Sequence, residues 1–355
     1  MLHIPTGEVD LDAWVRAVVR WHFDPASASP FWLRQAGRLG FEPITAIQGA
    51  ADLMRFPDVS AQLRTTPAAD LIPRGCVHDG RRFWVWESGG TTGAPKRIVD
   101  SADRAQGLER IQIALAHHAF PGRAGDWLHL GPTGPHLVGR NVGLLAQRHG
   151  QLCHYVDCDP RWVKRLLADG RRAEADRYIA HVLEQALAVL AAQPVAVVAC
   201  TPPVLDALCL HGAGLGLLRR QVRGVIWFGT SATEESIRLW EEELLPEACI
   251  VGWYGNTLMG IACQRPRRPG EAYRAVFQPP WPTAHVRLVD AEGREVDYGE
   301  TGRVVVSALS PELFLPNVAE RDQAVRVAPP PGHHSDGLAR VAPLPQPGTT
   351  QEGVY

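Results

Sequence analysis

Apolar residues take up helical spacing near the start of the chain. Leu11, Trp14, Val15 and Val18 recur at i, i+3, i+4 and i+7 behind Asp10, whose carboxylate suits a helix N-cap. A short helical stretch is expected over 31–39, and after loops rich in Pro and Ala the run Phe83-Trp84-Val85-Trp86 has strand composition. A glycine-rich loop follows it. Ser101 then opens a helix with Leu108, Ile111 and Leu115 on one face, and 127–130 reads as the next buried strand. Further on, Ile179, Val182, Leu183, Ala186, Leu187 and Leu190 trace a helical face that ends at Pro194, and 195–200 is an uninterrupted apolar strand. Helices near 204–210 and 234–244 alternate with strands at 224–228 and 249–253. Such alternation, with strands apolar on both sides, predicts an α/β fold in which helices cover a mostly parallel sheet.

From His285 the period changes to two. Val286-Arg287-Leu288-Val289, a turn at 291–294 and Gly302-Arg303-Val304-Val305-Val306 predict an antiparallel hairpin, the centre of a small antiparallel β subdomain. The last thirty or so residues are dense in Pro and Gly and keep no period, so a loop or partly disordered tail is expected there. The expected division is an α/β core over 1–270, the antiparallel subdomain over 271–330 and the tail over 331–355.

Composition narrows the function. With 355 residues, 45% hydrophobic and 21% charged, the chain can bury an ordinary core. A net charge of −2 spread along the chain gives no basic field, which disfavours nucleic acid as a partner. The N-terminal residues lack a basic stretch followed by an apolar run, and no long uncharged apolar segment occurs, so no membrane association and a cytoplasmic location are expected. Seven cysteines without a CxxC pair fit reduced core thiols. Cys153, His154, Asp157 and Cys158 lie close together as either a metal cluster or a strand entering a loop; zinc sites usually draw on two separated ligand pairs, so no metal residue is assigned.

The most informative segment is Glu87-Ser88-Gly89-Gly90-Thr91-Thr92-Gly93-Ala94-Pro95-Lys96. Its glycines let backbone approach an anion, while Ser88, Thr91, Thr92 and Lys96 add hydroxyl donors and a positive charge. The alternative is a plain glycine-rich connector. It is not a kinase-type P-loop, because Ala94-Pro95 separates Gly93 from Lys96.

This loop resembles the phosphate loop of the adenylate-forming superfamily of acyl-CoA synthetases, peptide-synthetase adenylation domains and luciferases. Within it, Phe31 to Pro57, with Gly-Phe-Glu-Pro-Ile and Asp52-Leu53-Met54-Arg55-Phe56-Pro57, is similar to the phenylacetate-CoA ligase branch. The resemblance implies the large N-terminal domain of that fold and ATP-dependent activation of a carboxylic acid to an acyl-adenylate, with ATP and Mg²⁺ as cofactors. It implies that Ser88, Gly89, Gly90, Thr91, Thr92, Gly93 and Lys96 hold phosphates. Tyr254-Gly255-Asn256-Thr257 matches an aromatic-Gly-x-Thr signature, in which Tyr254 would stack on adenine and Thr257 would donate to the α-phosphate; as a bare segment it is a turn after a core tyrosine. Gly229-Thr230-Ser231 resembles the turn that contacts the base, and Asp322 in Glu320-Arg321-Asp322 the carboxylate that binds both ribose hydroxyls. His136 falls where a His or aromatic lies beside the acyl group.

Two departures stand out. Leu258 occupies the position of a glutamate that helps hold Mg²⁺, and leucine cannot ligate a hard cation, so another carboxylate or water is required or metal dependence weakens. No hinge and lysine-bearing small domain follow, so that mobile C-terminal domain is expected to be absent. Members resembling this truncated arrangement act in phenazine and related aromatic-acid biosynthesis. On that analogy the acid is aromatic and passes to an amine, hydroxyl or thiol acceptor, or a carrier protein, in antibiotic-type secondary metabolism. The alternatives are a CoA ligase completed by a separate small domain, and a nucleotide- or acyl-adenylate-binding protein with little turnover. The sequence assigns no oligomeric state.

Overall fold

The apolar runs become strands β1 (Phe83–Glu87), β2 (Arg97–Ser101), β3 (Asp126–Gly131), β4 (Cys153–Asp157), β5 (Val195–Cys200) and β6 (Gly224–Phe228) in the computed structural model, which describes residues 2–89, 94–101 and 105–345. They continue as β7 (Cys249–Asn256), β8 (Gly260–Gln264), β9 (Val276–Gln278), β10 (Ala284–Val289), β11 (Thr301–Leu309), β12 (Phe314–Val327) and β13 (Gly337–Pro343). The chain forms two units, one of Met1–Ala105, Asn256–Gly260 and Pro279–Gly337, the other of Gln106–Gly255, Ile261–Gln278 and Leu338–Tyr355.

In the second unit β4, β3, β5, β6 and β7 lie side by side and parallel. β5 and β6 are buried along their whole length, as apolar runs in the middle of a helix-covered sheet must be. On one face Leu108, Ile111 and Leu115 of the helix Ala105–His117 and Val142, Leu145 and Ala146 of Leu137–Arg148 pack over Trp127, Ala199, Phe228 and Trp253. Fully burying one such aliphatic side chain is worth roughly 1.5–3 kcal/mol. Trp227 points to the opposite face, where its ring lies 6.2 Å from Trp240 and 5.7 Å from Phe277. The α/β class expected from the alternation is therefore the class observed.

In the first unit β10, β11 and β12 are antiparallel, with Val286 opposite Val306 as the period-two pattern predicts. The helix Leu11–Phe23 starts where Asp10 accepts the Asp12 and Ala13 N–H groups at 3.0 and 3.2 Å. Indole N–H groups tie this end of the chain to the sheet: Trp14 donates to the Leu309 carbonyl at 3.2 Å and Trp32 to that of Phe314 at 2.9 Å.

Three local expectations change. The glycine-rich loop leads from β1 to a second strand, β2, so Ser101 ends a strand rather than opening a helix, and the described helix runs over Ala105–His117. Ile98 and Val99 are both buried, so this strand carries no clean alternation to announce it. The Pro/Gly-rich tail contains β13, because Leu338 and Ala339 pair with Phe277 and Val276 of β9 and are buried. All seven cysteines are free, and burial pushes thiols such as Cys76 and Cys263 up to about 12. Among the described residues no helix is long and apolar enough to cross a membrane.

Candidate functional site

The strand pair β1 and β2 holds the phosphate-loop candidate at its open end, in register from Phe83 opposite Ser101 to Glu87 opposite Arg97. Gly90, Thr91, Thr92 and Gly93 lie outside the described residues. The base of the loop is closed twice: the Ser88 N–H donates to the Lys96 carbonyl and the Lys96 N–H to Ser88 Oγ, each at 2.9 Å. Among the described residues beyond its chain neighbours, none places an atom within 4 Å of where a Cβ at Gly89 would stand. Lys96 Nζ donates to Ser60 Oγ at 2.7 Å, and Ser60 is buried, its own N–H held by Asp58 Oδ1 at 2.8 Å. The lysine head is thus aimed by a fixed hydroxyl.

Asn256 and Thr257 belong to the same unit. Asn256 Oδ1 accepts the Leu258 and Met259 N–H groups at 2.9 and 2.8 Å, a side-chain-closed turn that fixes the backbone of this segment. Thr257 Oγ1 donates to the Glu87 carbonyl at 3.3 Å, which brings it to the end of β1. Leu258, at the position where a carboxylate was sought, is buried at 8% exposure.

Asp322 lies on a break in the β11–β12 ladder. Two steps along β11, from Arg303 to Val305, are matched by four along β12, from Gln323 to Ala319, so Glu320, Arg321 and Asp322 bulge out of register. Arg303 clamps the bulge, donating from Nε to the Glu320 carbonyl at 2.7 Å and from Nη2 to that of Ala319 at 3.4 Å. Burial raises the Glu320 carboxyl above its ordinary range and nearby Asp322 adds to the shift, while Lys96, Arg321 and the Asn256 amide act against it. Glu320 therefore stands beside Lys96 and Asn256, a carboxylate that the sequence motif passed over. Its only signal was adjacency to Asp322; Ser60 had none.

The remaining candidates belong to the second unit, at the carboxyl ends of its parallel strands, where open α/β sheets bind ligands. His136 caps the helix Leu137–Arg148 by position, without a side-chain cap bond. Gly229 follows β6 at φ +85°, a conformation that favours glycine, and Thr230 and Ser231 continue that turn. Tyr254 and Gly255 end β7, with the Tyr254 ring 5.9 Å from Phe277. Among the described residues no cluster of three or more His, Cys, Asp and Glu side chains forms a metal site, and Cys153–Asp157 is the edge strand β4.

No family model and no curated protein matches this sequence. Solved structures do. The chain is similar to an open conformation of 2-hydroxyisobutyryl-CoA ligase in complex with 2-HIB-AMP and CoA, at a TM-score of 0.60 and 15% identity, over 93% of this chain and 67% of that one. It is also similar to the same ligase in a postadenylation state with R3-HIB-AMP, at a TM-score of 0.59 and 14% identity, over 93% of this chain and 65% of that one. The chain thus spans about two thirds of the length of these ligase structures, and over nearly all of its own length it shares their fold.

Proposed function

We propose that the protein activates a carboxylic acid with ATP. The acid's carboxylate oxygen attacks the α-phosphorus, the bond to the bridging oxygen breaks, and pyrophosphate leaves with that oxygen and its charge. Little covalent work falls to the protein, so positioning and charge neutralisation carry the rate. In this reading Lys96, Ser88 and the loop residues Thr91 and Thr92 hold the β- and γ-phosphates, Thr257 the α-phosphate and Asp322 the ribose hydroxyls. Tyr254, Asn256 and the turn Gly229-Thr230-Ser231 take the base, and His136 lies beside the acyl group. By resemblance the acid is aromatic, and the acyl group passes to an amine, hydroxyl or thiol acceptor in secondary metabolism.

The observation that carries the reading lies within one unit: the pinched loop base, the aimed Lys96, Thr257 and the bulge bearing Glu320 and Asp322. Mg²⁺ fits the residues present, because Glu320 offers the hard oxygen that Leu258 lacks. Glu320 would hold the ion with phosphate oxygens, and the ion would neutralise charge on the departing pyrophosphate. Leu258 itself favours a second reading, a nucleotide-binding protein with little turnover.

The test is pyrophosphate release with ATP and Mg²⁺ across a panel of aromatic acids. Acid-dependent release that falls in Lys96→Ala and Asp322→Ala supports activation. ATP binding without acid-dependent release selects the second reading, and equal release in all three proteins removes the site assignment.

A further inference from the structure

Five buried polar atoms on one face of the second unit's sheet have no hydrogen-bond partner: His129 Nδ1, Asn141 Oδ1, Thr201 Oγ1, Thr230 Oγ1 and Trp253 Nε1. A buried polar group left unsatisfied destabilises the fold, so five together call for something that fills them. Their placement is contiguous. The His129 ring stacks on Phe228 at 5.6 Å, Gly229 follows Phe228, and a Cβ at Gly229 would stand 3.3 Å from the Thr201 methyl. Thr230 is the next residue, and Trp253 stands opposite Phe228 in the β6–β7 ladder. Asn141 lies one turn ahead of Leu145 on the helix Leu137–Arg148 and is only 2% exposed.

For Thr201 the cause is local. Thr201 is the N-cap of the helix Pro202–Leu210, but its first two helical residues are prolines, and Pro203 has no N–H for the cap hydroxyl to accept. His129 Nε2 lies 3.3 Å from the Pro132 carbonyl, which only accepts, so the ring proton sits on Nε2 and Nδ1 is a pure acceptor. Burial pushes this histidine down to about 4, which keeps the ring neutral. Asn141 Oδ1 is likewise an acceptor. Two acceptors, two hydroxyls and one indole donor, none charged, match a neutral group that donates as well as accepts.

Resting on the reading that this protein activates an acid, we propose that the acid's body is received at the carboxyl ends of β3, β5 and β6 and carries a hydroxyl or amino donor there. An ether, a halogen or a bare ring would leave the acceptors of His129 and Asn141 unmatched.

The experiment measures binding of acids to the full chain by calorimetry, without requiring turnover. Benzoates and phenylacetates bearing a hydroxyl or amino group at each ring position are compared with their methoxy and unsubstituted partners. At least one donor-bearing acid is expected to bind on the order of tenfold to a hundredfold tighter than its methoxy partner. Thr201→Val and Asn141→Leu should each draw that ratio towards one, and Thr201→Ser should keep it, which a general packing defect would not do. Ratios within about twofold for every pair, a ratio unchanged in Thr201→Val and Asn141→Leu, or no acid bound would overturn the inference and leave these atoms to water. Pyrophosphate release from the same samples separates the two claims: a preserved binding ratio without release refutes activation and leaves the donor preference standing.

Discussion

The two units handle polarity in opposite ways. Around Lys96 the first unit sets charged groups on irregular backbone, with a loop pinched at Ser88, an Asn256-closed turn and the bulge at 320–322. At the ends of β3, β5 and β6 and on the helix that covers them, the second unit sets neutral groups and leaves them bare. The contrast teaches that charge is held ready by fixed partners, since an unpaired buried ion is far more costly than an unpaired hydroxyl. Neutral donors and acceptors can wait for a ligand.

The largest expected effect breaks the charged side. Lys96→Ala removes the one cation aimed by Ser60, and acid-dependent pyrophosphate release should fall on the order of 100- to 1,000-fold. Steady-state release at saturating acid checks it; a change under about threefold would show that the lysine is not at the reacting phosphates.

Acid sharpens the neutral side. His129 is neutral when folded, with its value depressed from 6.5 to about 4, so unfolded chains bind the proton first. The stability it contributes is fully present above about 6.5 and is lost as pH falls towards 4, on the order of 3 kcal/mol. His22, depressed to about 4 in the first unit, adds a loss of the same sign. Urea midpoints at pH 7 and 4.5 should therefore differ less in His129→Gln than in the parent; equal differences would contradict a buried neutral ring.

A steric change comes next. A Cβ at Gly139 would stand 2.8 Å from the Pro132 carbonyl oxygen and 3.2 Å from His129 Nε2. Backbone cannot yield there cheaply, so Gly139→Ala should cost about 1–3 kcal/mol in a denaturant titration.

Smallest, and opposite in sign to His129, is Glu320. Its raised carboxyl stabilises the fold below the ordinary carboxylate range, and that contribution is lost as pH rises through the folded value. Glu320→Gln should gain on the parent in melting temperature as pH rises from 4 to 8, and parallel curves would place Glu320 in solvent.

Sequence periodicity was enough for the strands of the second unit because both their faces are covered. Val195–Cys200 is apolar throughout, so length and flanking Pro194 sufficed. β2 and β13 escaped because one lacks alternation and the other is a short apolar run inside a Pro/Gly-rich stretch. In the candidate site, motif spacing pointed to Lys96, Thr257 and Asp322. Glu320 was marked only as the neighbour of Asp322, and Ser60, Thr201 and His129 were invisible, since each acquires meaning only from a partner, or a missing partner, distant in sequence.

The central claim is that one nucleotide is held by its phosphates at Lys96 and by its sugar at Asp322, and calorimetry with ATP, adenosine and tripolyphosphate tests it most directly. The account predicts that Lys96→Ala loses affinity for ATP and tripolyphosphate but not for adenosine, and that Asp322→Ala loses affinity for ATP and adenosine but not for tripolyphosphate. Both variants losing all three ligands equally, or neither losing ATP, would contradict it.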